Sequence, residues 1–459
     1  MVAPVTTLSS INVQYPSYFN PTKPFLDLVR SSNQVFGGGT EYTNSNYWLA
    51  DMPDGVVRTF ILHTVNGIGD GVLRLGDYIV DFPTISPFPT ITVTGGGIAT
   101  SGTSAAGNTL GALGGGQYRF EVQSNPCAVT IRINNDSGQT VALVDGIRCF
   151  YEYTSAGVLA PDKALLDAGE IFEPTWLAEL LSYASNLRFL GWLMQNGQDP
   201  LGVNTPFAFA DYATLADRTW GLTNGNGTTS GYKFRGVPPS VVGKLCAKLG
   251  KTLWINLPAK ASIACMDAAH TAIAAVYSGP VVSCICNELW NAASGFSIDS
   301  AYLRDYVAAG TDTDGSGSPL EIKNSSGAVV AWADATNSQK IYAAYGELLS
   351  RVWDSADRIF GASRVTKMVE GWVSSMASSA GPTFYYDNLI SGVQIGTEVD
   401  EYAVAAYLAL RYNSNFTSYT LRHLQHTDQY GAAGAGITNA LFDTGYTDYI
   451  DNLATGALD

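Results

Sequence analysis

Basic side chains are scarce in this chain of 459 residues. It has 25 lysines and arginines against 40 aspartates and glutamates, which gives a formal net charge of −15 and a pI near 4.6. No block of lysine or arginine offsets this charge locally. Because phosphate backbones and anionic membrane surfaces repel such a chain, we expect no nucleic-acid partner and no anionic membrane surface as partner.

Long apolar runs are also missing. No stretch reaches the roughly 18 apolar residues that a membrane span requires, and the first residues have neither the basic start nor the unbroken apolar segment of an export signal. We therefore expect no membrane insertion and a chain made in the cytoplasm without a signal peptide. With 46% hydrophobic and 14% charged residues, the chain can still bury large cores, which disordered chains cannot.

Cysteines are few, and none form a CxxC pair. The six of them do not predict a disulfide framework in a chain of this length, and we expect Cys284 and Cys286 to be buried thiols of a reducing compartment. Cys284 and Cys286 share one apolar strand, but no histidine or further cysteine stands at ligand spacing. The run that starts at Asp312 begins like a calcium loop, yet Lys323 occupies the position of the bidentate glutamate. We expect no metal and no cofactor.

The first 152 residues contain two kinds of sequence pattern. Residues 1–39 hold a short strand, an amphipathic helix predicted over 24–30 and a glycine run, which together predict one β/α unit. Residues 40–152 hold short alternating runs separated by turn signals such as Asn66-Gly67. This second pattern predicts an inserted antiparallel β-sandwich of roughly 110 residues, a size typical of such domains. We expect the sandwich to be carbohydrate-binding-like.

Residues 153–459 alternate helices with short buried strands. Counted with the first unit, parallel strands are predicted to begin near residues 11, 187, 252, 281, 365 and 400. Six such units predict an α/β fold of the TIM type, a (β/α) barrel with the sandwich inserted after its first unit. The order alone also allows an open doubly wound sheet, but no GxGxxG follows a strand and opens a helix.

In a parallel barrel, the functional residues lie at the carboxyl ends of the strands. Amides, carboxylates and aromatic rings at these ends indicate sugar recognition, since amides bond hydroxyl groups and indole faces stack on pyranose rings. Any of the tryptophans could instead pack beneath the loops. The candidate substrate-binding residues are Trp192, Asn196, Asn256, Asn287, Trp290, Asn291, Trp372 and Tyr407, and the candidate catalytic residues are Glu288 and Glu370.

The most specific signal is the run Asn287-Glu288-Leu289-Trp290-Asn291, at the end of the fourth predicted strand. A glutamate half-buried under Trp290 would favour its protonated form and could act as a general acid. The alternative is that Glu288 caps a helix or pairs with an arginine.

Seven motifs are spread along nearly the whole chain. Their residues and their order resemble those of a glycoside-hydrolase-like barrel family often labelled cellulose-binding, within the Asn-Glu clan of barrel glycosidases. The resemblance implies that Asn287 holds a sugar 2-hydroxyl and that Glu288 is the acid/base. The motifs are Pro24–Arg30, Leu187–Asn196, Asp217–Trp220, Gly236–Pro239, Leu253–Pro258, Cys286–Asn291 and Val399–Tyr407.

Two departures from the family weaken the catalytic inference. Ala259 and Lys260 stand where the family tends to have a histidine. A retaining enzyme also needs a second carboxylate about 5–5.5 Å from the first, supplied in this clan by a seventh strand, and only six strands are predicted. Three alternatives stay open: the chain is a fragment of a longer polypeptide, the barrel is completed differently, or the fold persists without hydrolysis. Glu370 could face Glu288 as an inverting partner or as a structural one.

The expected location of the protein helps to distinguish among the candidate functions. Polysaccharides lie outside cells, whereas this chain is expected to be made in the cytoplasm; release by lysis reconciles the two. We therefore expect a bacteriophage tail or virion-surface component that binds cell-surface polysaccharide, with cleavage left open and with protein neighbours in an oligomer or virion. The alternatives are an active soluble glycosidase that uses Glu288 and a purely structural virion subunit.

Overall fold

A computed structural model of the chain describes residues 10–14, 16, 23–32, 52–64, 73–82, 90–140, 146–183, 185–194, 206–221, 235–286, 289, 297–311, 319–320, 322–323, 328–372, 401–405, 409–410 and 419–420. The chain divides into two compact units: Met1–Glu370 with Thr383–Tyr402, and Gly371–Pro382 with Ala403–Asp459.

The strands in the described part of the chain fall into five sheets. In chain order they are β1 (Ser10–Gln14), β2 (Val57–His63), β3 (Gly76–Asp81), β4 (Thr90–Thr94), β5 (Ile98–Ala99), β6 (Gly102–Thr103), β7 (Thr109–Gly114), β8 (Gln117–Val122), β9 (Val129–Asn134), β10 (Arg148–Thr154), β11 (Asn186–Leu190), β12 (Thr252–Leu257), β13 (Val281–Ile285), β14 (Ile322–Lys323), β15 (Val329–Val330), β16 (Val365–Trp372), β17 (Glu401–Ala405), β18 (Ala409–Leu410) and β19 (Tyr419–Thr420).

The helices lie mostly after residue 160. They are α1 (Asp162–Asp167), α2 (Pro174–Tyr183), α3 (Pro239–Leu249), α4 (Ile263–Ala274), α5 (Ser297–Ala309) and α6 (Asn337–Phe360), with short 3-10 helices at Leu28–Ser31, Phe209–Asp211, Trp332–Asp334 and Ala362–Arg364. None of the helices in the described part of the chain combines the length and apolar character that crossing a membrane requires.

A six-stranded sheet in the order β1-β11-β12-β13-β16-β17 forms the centre of the α/β region. The pairings that join its first five strands are parallel, and all six strands begin within one residue of their predicted positions. The order follows the chain without the reversal of a doubly wound sheet. No pairing of β1 with β17 closes the sheet among the described strands. The α/β class is therefore confirmed, whereas a closed TIM-type barrel is not observed.

Residues 24–30 differ from the predicted amphipathic helix. Phe25 bridges to Phe172, and the Leu26 N–H donates to the Ile171 carbonyl at 2.9 Å, so this part of the backbone is extended. A 3-10 helix begins only at Leu28, after Asp27 accepts a hydrogen bond from the Val29 N–H. Tertiary pairing overrides the local helical pattern here.

The inserted segment forms two antiparallel sheets. One has the order β10-β3-β8-β7-β6, with β5 also paired to β8, and the other has the order β2-β9-β4. Alternate side chains from both sheets meet in one apolar core that includes Leu62, Val80, Phe120 and Ile131. Leu28 and its neighbour in the 3-10 helix join this core. The limits 40–152 of a separate domain stay a prediction.

A buried ion-pair cluster connects the β-rich segment to the helical region. Arg74 pairs with Asp162 of α1 and with Glu173, whose Oε1 lies 3.3 Å from Nη1. The Arg74 guanidinium also lies over the Tyr151 ring, 4.1 Å from its centroid. Burial raises the pKa of Asp162, and the neighbouring Arg74 counteracts this rise. Arg74 is therefore the one cation that these two carboxylates share among the residues described.

Replacing Arg74 should show how strongly the stability of the fold depends on the cation that Asp162 and Glu173 share. We expect Arg74→Met to lower the free energy of unfolding by about 2 kcal/mol, because two largely buried carboxylates lose their cation. Lys163→Met is the matched control, since its partner Asp167 is exposed and the expected loss is under about 0.5 kcal/mol. Urea denaturation followed by circular dichroism measures both, and equal losses would contradict the account.

Helices α4 and α6 enclose a buried histidine. The Ser355 hydroxyl donates to Asp267 Oδ1 at 2.6 Å, so Nδ1 of His270, 2.8 Å from the same Ser355 oxygen, must carry the proton that it donates. Nε2 is buried without a hydrogen-bond partner, and the ring lies edge-on to Phe360. Protonating Nε2 would bury an unpaired cationic N–H. Burial accordingly lowers the pKa of His270 to about 4.

This histidine predicts an acid-sensitive stability. The folded-state pKa of about 4 lies below the ordinary value of 6.5, so the unfolded chain binds more protons between these pH values. Stability should be complete above pH 6.5 and fall by about 3 kcal/mol as the pH drops to 4. Urea midpoints across this range should fall less steeply for His270→Gln, and parallel pH profiles would refute the assignment.

Candidate functional site

The carboxyl ends of β11, β12 and β13 are adjacent in the central sheet. Parallel pairing sets Asn256 level with Cys284 and Leu257 level with Ile285, so β12 and β13 end side by side. On the other side, β12 pairs in parallel with β11. The three strands therefore end at one edge of the sheet, which is where parallel α/β folds place their binding sites.

Two residues at this edge have an unusual backbone. Met194 (φ 68°) and Cys286 (φ 55°) are the non-glycine residues with left-handed φ in the described ranges. This conformation costs roughly 1–2 kcal/mol for an L-residue. Met194 directly precedes Gln195 and Asn196, and Cys286 directly precedes Asn287 and Glu288. Strain of this kind concentrates where a fold must aim particular side chains.

Asn256 holds the end of the neighbouring strand in place. Its side chain is 1% exposed, and its Nδ2 donates to the Cys286 carbonyl. The Cys286 N–H in turn donates to the Leu257 carbonyl at 2.6 Å. Asn256 was predicted to bind substrate; the structure instead gives it contacts that fix the backbone from which Asn287 and Glu288 continue.

Trp192 packs inside the protein, which is the alternative to sugar stacking that the sequence left open. Its side chain is fully buried in an aromatic cluster, stacked 6.4 Å from Trp176 and edge-on to Phe25 and Phe189 at 5.9 and 5.2 Å. Neither face of the indole is open to a sugar ring, so the predicted stacking role of Trp192 is corrected. Its carbonyl accepts the Val237 N–H at 2.8 Å and so ties the segment before α3 to this edge.

Most of the other predicted site residues lie outside the described part of the structure: Asn196, Asn287, Glu288, Trp290, Asn291 and Tyr407. Glu370 and Trp372 lie near the end of β16, where the structure describes their backbone and not their side chains. Leu289, between Glu288 and Trp290, is buried. The pairing of Glu288 with Glu370 stays a prediction.

Arg235 anchors residues 210–217, which come after β11 in the chain. Its guanidinium donates to the carbonyls of Asp211, Ala210 and Tyr212 at 3.2, 2.7 and 2.7 Å, and it pairs with Asp217 at 2.9 Å. Burial raises the pKa of Asp217, with Arg235 opposing the rise. The Asp217–Trp220 motif therefore has a clear structural task here, which is to anchor this segment.

Sequence reasoning gave little weight to Lys260. It follows β12 by three residues and is 1% exposed, and its carbonyl accepts the Phe207 N–H at 2.9 Å. The sequence marked it only as a departure from a family histidine, although its distance from Leu257 places it at the carboxyl end of the strand. The left-handed conformations could not have been predicted, because neither methionine nor cysteine favours them.

No group of three or more His, Cys, Asp and Glu side chains suited to a metal ion occurs among the residues that the structure describes. Comparison with known proteins adds no relative, since no family model, no curated protein and no solved structure matches the chain. The resemblance to barrel glycosidases therefore stays a prediction.

A substitution at Gly236, which has a φ of 68°, tests how closely this residue approaches Trp192 at the edge of the sheet. A Cβ at this position would lie 2.5 Å from the Trp192 carbonyl oxygen. We expect Gly236→Ala to cost at least about 2 kcal/mol, combining left-handed strain with this collision. Gly250→Ala is the control, because Gly250 also has positive φ but open space around it, and its cost should be about 1 kcal/mol. Equal costs in urea denaturation would contradict the close approach.

Proposed function

We propose that this chain engages a polysaccharide at the carboxyl edge of β11, β12 and β13, on a central sheet that closes into a (β/α) barrel of the TIM type. The observation that carries the proposal is the coincidence of two left-handed residues, Met194 and Cys286, with the starts of the two most polar predicted site segments. The buried bond from Asn256 to Cys286 supports it, because it fixes the origin of the second segment.

The chemistry of these segments favours a sugar ligand. Gln195, Asn196, Asn287 and Asn291 offer paired donors and acceptors for hydroxyl groups, and Trp290 offers an aromatic face. A net charge of −15 repels polyanions at low salt, which favours a neutral glycan. The β-sandwich is proposed as an accessory carbohydrate-binding module.

We propose a bacteriophage tail or virion surface as the setting. All six cysteines are buried thiols that take part in no disulfide in the structure, which suits assembly in a reducing compartment. Release by lysis then brings the protein to polysaccharide outside the cell. Glu288 is the proposed acid/base if hydrolysis occurs, with Glu370 as the candidate second carboxylate.

Affinity electrophoresis tests the binding proposal. We expect soluble hydroxyethylcellulose, or a neutral polysaccharide from a panel of bacterial surface glycans, to retard the wild-type protein. The double change Asn287→Ala with Trp290→Ala should weaken binding at least tenfold, since it removes a hydrogen-bonding amide and a stacking face, each worth on the order of 1 kcal/mol. Glu170→Gln, at an exposed carboxylate paired with Lys248, is the control and should bind normally.

Reducing-sugar release separates the alternatives. Release by wild type that is lost in Glu288→Gln identifies a glycosidase, whereas binding without release identifies an adhesin. If the wild-type protein neither binds nor cleaves any glycan in the panel, including those of its host surface, the proposed function is contradicted. That result would favour a purely structural subunit.

A further inference from the structure

One aromatic ring stands open to solvent on the segment between β11 and β12. Among the side chains that the structure describes, Phe209 is the single aromatic residue in the set of exposed large apolar residues, and it is 39% exposed. Its neighbours Ala208 and Ala210 are small and exposed, so neither of their side chains covers the ring. Single exposed apolar side chains are common on protein surfaces, and the position and rigidity of this ring therefore decide what it can do.

Hydrogen bonds tie the segment that carries Phe209 to the ends of two central strands. Two residues before Phe209, the Phe207 N–H donates to the carbonyl of Lys260, which follows β12, at 2.9 Å. Three residues after Phe209, the Tyr212 hydroxyl donates to the carbonyl of Leu193, which follows β11, at 3.3 Å. The ring is therefore attached to the same carboxyl edge of the sheet as the candidate site.

The ring is also held rigidly by its own surroundings. Phe209 begins a 3-10 helix, and the Arg235 guanidinium donates to three consecutive carbonyls of this turn, Ala210–Tyr212. The Phe209 ring packs edge-on with the buried Tyr212 ring, with centroids 6.1 Å apart, and Tyr212 packs edge-on with Phe207 at 4.8 Å. A side chain ordered in advance loses little conformational entropy when it binds a ligand.

The charged groups beside the ring are compensated within the turn. The Asp211 carboxylate accepts the Ala208 N–H at 2.8 Å, and Arg235 forms an ion pair with the buried Asp217 at 2.9 Å. A flat apolar ring with compensated charges around it suits the apolar face of a neutral sugar ring better than a charged ligand.

We propose that Phe209 stacks on a pyranose ring of the polysaccharide bound at the carboxyl edge of β11, β12 and β13, an inference that rests on the proposed function. Phe209 then adds a second aromatic face to that of Trp290, and the bound chain continues from the strand ends over the 3-10 helix at Phe209–Asp211. The ligand is accordingly a chain of several sugars and not a single sugar.

Substitutions at Phe209 separate stacking from general apolar contact. In affinity electrophoresis of the full chain with the same glycan panel, Phe209→Ala and Phe209→Leu should both weaken binding about fivefold to tenfold, because neither keeps a flat ring. Phe209→Trp keeps one and should bind at least as tightly as wild type. Ile263→Ala is the matched control: this aliphatic side chain at the start of α4 is 41% exposed, and its loss should leave binding unchanged.

Hydroxyl-radical footprinting of the wild-type protein decides the role of Phe209 even if a variant fails to fold. A polysaccharide that retards the protein should slow oxidation of Phe209, while the exposed Leu181, which lies in α2 before β11, should react as in the free protein.

The outcomes separate this role from the proposed function. Retardation of wild type with unchanged oxidation of Phe209, or with Phe209→Leu bound as tightly as wild type, would overturn the stacking role and leave the proposed function standing. Equal losses in Phe209→Ala and Ile263→Ala would also overturn it, as would a Phe209→Ala protein that changes only its oligomeric state. Failure of every glycan in the panel to retard wild type would overturn both.

Discussion

The hydrogen bonds between the ends of β12 and β13 determine where the candidate site can be. Asn256 bonds the Cys286 carbonyl, and the Cys286 N–H bonds the Leu257 carbonyl, so one residue is fixed from both sides in a left-handed conformation. Asn287 and Glu288 directly follow this fixed residue in the sequence. Without the parallel register of the two strands, neither bond could form. Every functional proposal for Glu288 rests on this local arrangement.

The scarcity of basic residues explains much of the electrostatics. With 25 basic against 40 acidic side chains, single arginines serve several acceptors: Arg74 pairs with two carboxylates, and Arg148 does the same. Such shared pairs connect elements distant in sequence. Among the described residues, the buried Asp77 and Glu121 accept hydrogen bonds from neutral donors alone.

Sequence patterns predicted the strands well because buried parallel strands are continuous apolar runs between turn signals. They failed at residues 24–30, where pairing with Phe172 overrides a helical period, and they could not determine closure of the sheet. At the site, residue type placed Asn256 and Trp192 at the correct strand ends, but not the direction of their side chains. Burial there depends on aromatic and backbone partners that are remote in sequence.

The central claim is that the carboxylate following Cys286 is presented to a sugar from an open edge. Carbodiimide coupling of glycine ethyl ester, read by mass spectrometry on the native protein, measures the accessibility of each carboxyl group. The account predicts rapid labelling of Glu288, slowed by a bound polysaccharide, and slow labelling of buried Asp77 under either condition. Labelling of Glu288 as slow as that of Asp77 in the free protein would contradict it.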